Sequence, residues 1–301
     1  MRTTALFAVL TAVALGGVAA DAAPSSPPAS AGSIVFFGSS ERDRNHLFVI
    51  GSNGSGRRQL TSGSTFDVSP VWSPGRRRIA FVSIQPDPTV TQPQQDIFMV
   101  SSDGTGRRRV LESSRVEEGP SWSPDGRSLV FARDGGVRNS FDLYVVTVAT
   151  GKVRRLTATR ALEGAPSWSP DGKWIAYVRD AQIWLVRPDG KGAHGLGKTG
   201  AGTDWAPDWS PDSRRIAFES TSRTSLSNPV SEIWVMCRDG TGKRRLTPYR
   251  PGRTGATSPA WSPGGAQIAF SRGDQLWTMR PDGSHVRQLT RRPGEAYGPD
   301  W

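Results

Sequence analysis

The sequence predicts an all-β fold, a six-bladed β-propeller of four-stranded antiparallel blades, on three observations. Trp-Ser-Pro recurs at Trp72, Trp122, Trp168, Trp209 and Trp261, and Trp301 follows Pro299-Asp300 as Trp209 follows Pro207-Asp208. The intervals are 50, 46, 41, 52 and 40 residues, the period of small sheets that bury their faces only against neighbouring sheets. Between the Trp residues, β-branched apolar runs alternate with Asn-Gly or Asp-Gly hairpin signals in constant phase.

Each unit opens with a strand A around its Trp. Strand B follows about seven residues later: Ile79-Ala80-Phe81, Leu129-Val130-Phe131, Ile175-Ala176-Tyr177, Ile216-Ala217-Phe218 and Ile268-Ala269-Phe270, with Ile34-Val35-Phe36 as a sixth copy. Strand C is seen at Leu47-Phe48-Val49, Ile97-Phe98-Met99, Leu143-Tyr144-Val145, Ile183-Trp184-Leu185, Ile233-Trp234-Val235 and Leu276-Trp277-Thr278. A turn such as Asp103-Gly104 or Asp239-Gly240 leads into strand D, a basic run ending in Leu or Leu-Thr, as at Arg244-Arg245-Leu246-Thr247. The copies are out of phase with the termini. Strand B of the first blade opens the domain near Ser33, and its strand A comes from Tyr297 to Trp301. The C-terminal strand thus joins the N-terminal blade and closes the ring without free edges. The Trp residues at 72, 122, 168, 209, 261 and 301 are expected to be structural.

These residues resemble the TolB-type, WD40-like propeller repeat, which runs from a basic Leu-Thr strand through Pro-x-Trp-Ser-Pro-Asp-Gly to a Lys/Arg-x-Ile-Ala-Phe strand. The resemblance covers Ser33 to Trp301, the propeller portion of that family. Gly75 and Gly264 depart from it at the turn Asp, and Ser213 at the turn Gly. Propellers of this type that act as pectic lyases hold a metal with clustered His residues. Here His46, His194 and His285 are the only histidines, and none has ligand spacing to another.

Residues 1–20 read as a secretory signal peptide, with Arg2 as n-region, an apolar run from Ala5 to Val18 and small residues at the cleavage region. The apolar run is short for a membrane span, and no Cys follows it to carry a lipid. Residues 21–32, rich in Ala, Pro and Ser, read as a flexible linker, and 33–301 as the propeller. These features predict an exported protein, secreted, periplasmic or envelope-associated, monomeric and without a transmembrane span once the signal is cleaved. The single Cys237 excludes an intrachain disulfide and reads as a small buried hydrophobe.

The net charge is +11 and the pI about 10.7, which suits anionic surroundings. Much of that charge falls in strands D, at Arg57-Arg58, Arg107-Arg108-Arg109, Arg154-Arg155 and Lys243-Arg244-Arg245. Strands D are the outer circumference of a propeller, where charge discourages edge-to-edge association. Charge divided among blades is a poor match to a continuous nucleic-acid groove, so no nucleic-acid partner is expected.

Gly192 to Thr199 fits the phosphate-loop pattern, but its context is wrong. It aligns with the turn and strand D of Asp239 to Leu246, and nothing after it starts a helix. No G-x-S-x-G nucleophile elbow is present.

Antiparallel order places the A–B and C–D turns at one end of the ring, all of them tight, and the D–A and B–C connections at the other. That second end carries the long insertions at 84–95, 134–140 and 220–231, and loops of this kind carry binding functions. Five residues before the strand A Trp stand Asp67, Glu117, Glu163 and Asp204, with Glu295 one place further back in the closing blade. Phe66, Trp205 and Tyr297 accompany them. The expectation is an acidic, partly aromatic rim at the channel mouth; the competing reading is that each carboxylate caps local backbone N–H groups. The favoured function is a non-catalytic propeller that binds a protein or glycan partner on the D–A/B–C face. The alternative is a polysaccharide- or peptide-acting enzyme using two rim carboxylates as acid and base. No cofactor is expected, with a divalent cation at the channel mouth as the sole candidate.

Overall fold

The computed structural model describes residues 32–39, 45–86, 93–136, 140–200, 202–222, 230–248, 254–291 and 293–301, all strand, turn and irregular chain without a helix. The signal segment 1–20, nearly all of the linker 21–32 and parts of the three insertions lie outside the described residues. Strands β1 (Ser33–Gly38), β2 (His46–Gly51) and β3 (Arg58–Gln59) are B, C and D of blade 1. Blade 2 holds β4 (Phe66–Trp72), β5 (Arg78–Ile84), β6 (Gln95–Ser101) and β7 (Arg108–Arg109). Blade 3 holds β8 (Glu117–Trp122), β9 (Ser128–Asp134), β10 (Phe141–Thr147) and β11 (Val153–Arg155), and blade 4 holds β12 (Glu163–Trp168), β13 (Ile175–Arg179), β14 (Gln182–Val186) and β15 (His194–Gly195). Blade 5 holds β16 (Thr203–Trp209), β17 (Arg215–Ser222), β18 (Val230–Cys237) and β19 (Arg244–Arg245). Blade 6 holds β20 (Ala256–Trp261), β21 (Ile268–Arg272), β22 (Gln275–Met279) and β23 (Arg287–Gln288). The last strand, β24 (Tyr297–Asp300), pairs antiparallel with β1 and completes blade 1, so all six sheets have four strands and the ring is closed.

Strands B read as unbroken apolar runs because each blade is covered on both faces. Ile79 and Phe81 pack toward blade 1 with Trp72 and Val100, while Ala80 between them packs toward blade 3 with Met99, Trp122 and Phe131. All three strand B residues are fully buried. Trp72, Trp122, Trp209 and Trp261 are buried; Trp168 and Trp301 are half-buried but pack on the cores of their own junctions. The Trp122 and Trp209 indole N–H groups donate to Val71 and Ser167 carbonyls of the preceding blade.

The repeated polar residues close the turns. The Ser of each Trp-Ser-Pro accepts the N–H of the residue five further on, as Ser123 does from Ser128 and Ser169 from Trp174. The Thr of Leu-Thr accepts a strand C N–H: Thr61 from Leu47, Thr157 from Leu143, Thr247 from Ile233 and Thr290 from Leu276. Gly104 in the C–D turn meets two demands, a φ of +95° and a carbonyl oxygen of Leu60 in the preceding blade that a Cβ would approach to 2.7 Å, so only glycine fits without strain. The same approach to the preceding strand D recurs at Gly54, Gly190, Gly240 and Gly283. Where the A–B turn lacks its Gly, Arg76 and Ser213 adopt φ of 53° and 57°. Basic strand D residues cross to the next C–D turn: Arg58 donates to the Ser102 and Asp103 carbonyls, and Arg244 to those of Pro281 and Asp282. The outer charge therefore laces neighbouring blades together.

Cys237 corrects an expectation. It is exposed, because it is the last residue of β18, where the buried run that includes Val235 and Met236 ends. His46 is the first residue of β2 and is buried. His194 and His285 are exposed on the periphery, and 194–195 form strand D of blade 4, as the repeat alignment requires of the false phosphate loop.

Candidate binding face and channel

The structure separates the rim carboxylates from one another and from solvent. Asp67, Glu117, Glu163 and Asp204 are 0%, 0%, 1% and 2% exposed. Each is the first or second residue of a strand A, and strand alternation turns it into a junction between blades instead of into the channel mouth. There it needs a partner, since a carboxylate withdrawn from water is costly unless paired. Asp67 accepts a two-pronged ion pair from Arg107, at 2.7 and 3.0 Å. Glu117 accepts from Arg133 at 2.8 and 3.2 Å. Glu163 accepts from the hydroxyls of Thr157 and Thr159, with Arg179 4.0 Å away. Asp204 accepts from the N–H and hydroxyl of Thr199 at 3.1 and 3.0 Å. Glu295 alone is exposed and accepts a hydrogen bond from Ser39. The open acidic rim is thus corrected to a buried, paired layer. Among the described residues no group of three or more His, Cys, Asp or Glu side chains converges on a point suited to a metal ion.

Burial raises the Glu117 carboxyl to about 7 against the pull of Arg133, and also raises Glu163 and Asp204. The guanidiniums above them stack on the strand B and C aromatics: Arg107 lies 4.9 Å from the Phe98 ring centre, Arg133 4.9 Å from Tyr144 and Arg179 4.6 Å from Trp184. The expected aromatics are also drawn between blades. Trp205 packs on the blade 4–5 core, Tyr297 donates its hydroxyl to Asp274 at 2.6 Å, and Phe66 is half-buried.

Sequence reasoning missed a second set of buried acids at the start of strands C. Asp96, Asp142 and Glu232 pair with Arg109, Arg155 and Arg245 at 3.2, 2.6 and 3.4 Å. Their signal was available: blades with an acid there have Arg just before the strand D Leu or Val, whereas blades with His46, Gln182 or Gln275 have Gln59, Gly195 or Gln288.

The channel itself is a cavity of about 660 Å³ walled by all six strands A. Each contributes a Pro, at 70, 120, 166, 207, 259 and 299, tolerated because strand A is an inner edge strand with no further ladder to feed. The residue before each Pro, from Ser69 to Gly298, has a positive φ. Two carboxylates missed as a site occupy the same repeat position here, Asp208 in blade 5 and Asp300 in blade 1. Each accepts the backbone N–H of the next blade's Trp at 2.7 Å, Trp261 and Trp72 respectively. Burial raises Asp208 to about 8, aided by the Asp300 charge, and raises Asp300 to about 6 against its own hydrogen bond and Arg76. Glu118, in strand A of blade 3 three residues ahead of the equivalent position Ser121, is raised to about 7 by burial.

A closed ring of six like blades around a preformed channel, with its carboxylates engaged in holding the blades, defines the class as a propeller scaffold. The chain belongs to the family of the TolB beta propeller domain, whose family model matches residues 39–201. No curated protein matches it. Among solved structures it is similar to TolB from Acinetobacter baumannii, at 23% identity and a TM-score of 0.74, over 90% of this chain and 66% of that one. The chain thus spans slightly less than two thirds of that relative. It is also similar to a putative TolB from Agrobacterium tumefaciens, at 23% identity and TM-score 0.66, over 88% of this chain and 90% of that one. An oligogalacturonate lyase from Vibrio parahaemolyticus aligns at 14% identity and TM-score 0.57, over 85% and 74%. At these identities the likeness is one of fold.

Proposed function

We propose that the chain is an exported, non-catalytic propeller that binds a protein partner on its D–A/B–C loop face. The observation that carries this reading is the unlikeness of the two ends. The A–B and C–D turns repeat the same hydrogen bonds from blade to blade and serve the scaffold. At the opposite end the B–C connection is a two-residue turn in blades 4 and 6, at 180–181 and 273–274, but runs through 85–94 in blade 2 and 223–229 in blade 5. Variation on a constant frame is where recognition resides. Export rests on the signal-like character of 1–20, in keeping with the fold of the TolB relatives. The alternative, an enzyme using the rim carboxylates, finds four of the five, Asp67, Glu117, Glu163 and Asp204, withdrawn from solvent and engaged by Arg or Thr.

The test is capture from the producing cell's envelope fraction by the full chain. A variant in which 85–94 is replaced by the Asp180-Ala181 turn should lose the partner while melting within a few degrees of the parent. Asp125→Asn in an A–B turn should retain it. Capture that survives loop replacement, or fails in the turn variant, would move the site away from this face.

A further inference from the structure

The carboxylates of the channel lack what those of the blade junctions have. Asp67, Glu117, Asp96, Asp142 and Glu232 pair with guanidiniums, and Glu163 and Asp204 accept threonine hydroxyls. Asp208 and Asp300 are half-buried, line the channel, and accept the backbone N–H of Trp261 and Trp72 respectively. Among the described residues neither has an ion-pair partner within 4.0 Å. Arg76 acts on Asp300 electrostatically, but its guanidinium is held by the Ser33 carbonyl and lies over the Trp72 ring, 4.5 Å from its centre.

The wall of the channel is uneven in a way that the sixfold repeat is not. Blades 2, 3 and 4 contribute Trp72, Trp122 and Trp168 with the turn prolines Pro74, Pro124 and Pro170, whereas blades 5, 6 and 1 contribute the chain only as far as Asp208, Ala260 and Asp300. One half is thus aromatic and apolar, and the half opposite carries the two carboxylates. They are the only ionisable side chains lining the cavity, on a protein whose net charge is +11. Proline at one place in each strand A also removes a backbone donor from the wall six times over. The volume of about 660 Å³ lies within the usual range of small-molecule sites, about 300–1,000 Å³.

We propose that the channel binds a small aliphatic amine, with its ammonium against Asp208 and Asp300 and its hydrocarbon chain on the Trp and Pro wall of blades 2 to 4. An ammonium donates hydrogen bonds and accepts none, which suits a wall rich in acceptors and negative in charge. A calcium ion takes about six to eight oxygen ligands and leaves the apolar half of the channel unused; among the described residues no cluster of three or more His, Cys, Asp or Glu side chains gathers to supply them. The turn prolines set the site toward the tight-turn end of the ring, so it is separate from the partner face of the D–A/B–C loops. Asp300 and Arg76 are the charged groups that act on this pair, Asp300 raising Asp208 to about 8 together with burial, and Arg76 opposing the rise of Asp300 to about 6. An alkylammonium stays charged to about pH 10 and binds the ionised carboxylates. Binding therefore releases protons and tightens as the pH rises through about 8.

The experiment uses the full chain at constant ionic strength, with propylammonium, butylammonium and pentylammonium as probes, 1-pentanol as the uncharged control and calcium chloride as the inorganic one. Isothermal titration and thermal melts are expected to show saturable binding of the amines and a rise in Tm of a few degrees at saturation. Each added methylene should tighten binding by about fourfold, and affinity should be several-fold higher at pH 8.5 than at pH 6.5. Asp208→Asn keeps an acceptor for the Trp261 N–H; it should weaken pentylammonium binding at least tenfold and flatten its pH dependence. The comparisons of chain length, charge and pH on the parent protein keep the test decisive if that variant does not fold. No saturable binding, an equal response to pentanol or to calcium, affinity that is independent of pH, or undiminished binding by Asp208→Asn would overturn the proposal.

Discussion

Asp208 shows how a single residue can carry the repeat and a titration together. Its position between Pro207 and Trp209 points it at the next blade, where it accepts the Trp261 N–H, and burial beside Asp300 raises its carboxyl to about 8. The unfolded chain releases this proton near pH 4, about where an unperturbed Asp titrates, while the folded chain keeps it. Between those limits the folded state binds more protons, so the contribution of this group to stability is present at acid pH and lost as the pH rises through about 8. Asp208→Asn keeps a carbonyl acceptor and has no proton to lose. Melts should place variant and parent close together at pH 5 and the variant higher at pH 8.5; a constant difference across that range would show that the carboxyl is not the titrating group.

Among elements, the strand A acids and the basic residues of strands B and D act as matched sets. Blade 2 uses Asp67, Ser83 and Arg107; blade 3 uses Glu117, Arg133 and Val153, with the longer acid meeting the Arg of strand B. Mutual repulsion in an open rim would make neutralisation stabilising. Pairing predicts the opposite: Asp67→Asn leaves Arg107 facing an amide. The cost of breaking a buried pair is about 3–5 kcal/mol, to be discounted to about 1–3 kcal/mol because the Arg107 side chain is 30% exposed. Urea titration reads this directly, and an unchanged or increased stability would restore the repulsion reading. The repeat alignment located these acids, but the same spacing is shared by a residue at an open mouth and one in a junction, and only the arriving guanidinium distinguishes them.

For the molecule as a whole, closure rests on β24. Its Asp300 accepts the Trp72 N–H of blade 2, Tyr297 reaches Asp274 of blade 6, and Trp301 packs on the core between blades 6 and 1. Deleting Tyr297 to Trp301 removes ties to both neighbours. A loss of about 3–5 kcal/mol, typical of truncating one large core aromatic, moves the Tm of a domain this size by on the order of 10 °C. A truncated chain that melts within a degree or two of the parent would show that the shared blade does not hold the ring.

The blade number, the order of strands, the shared first blade and the turn chemistry were legible in the sequence by itself. They rest on local periodicities repeated six times in constant phase, from Ile34-Val35-Phe36 to Ile268-Ala269-Phe270. The tertiary structure decided what each charged side chain does. Glu117 meets Asp96 across a junction and Arg133 across a strand pair, and Asp208 meets Trp261 of the next blade. Those relations are set by which face of one blade meets the next. The pleat alternates every residue, so one position's difference in phase, invisible to a repeat of some forty residues, decides between channel, junction and solvent.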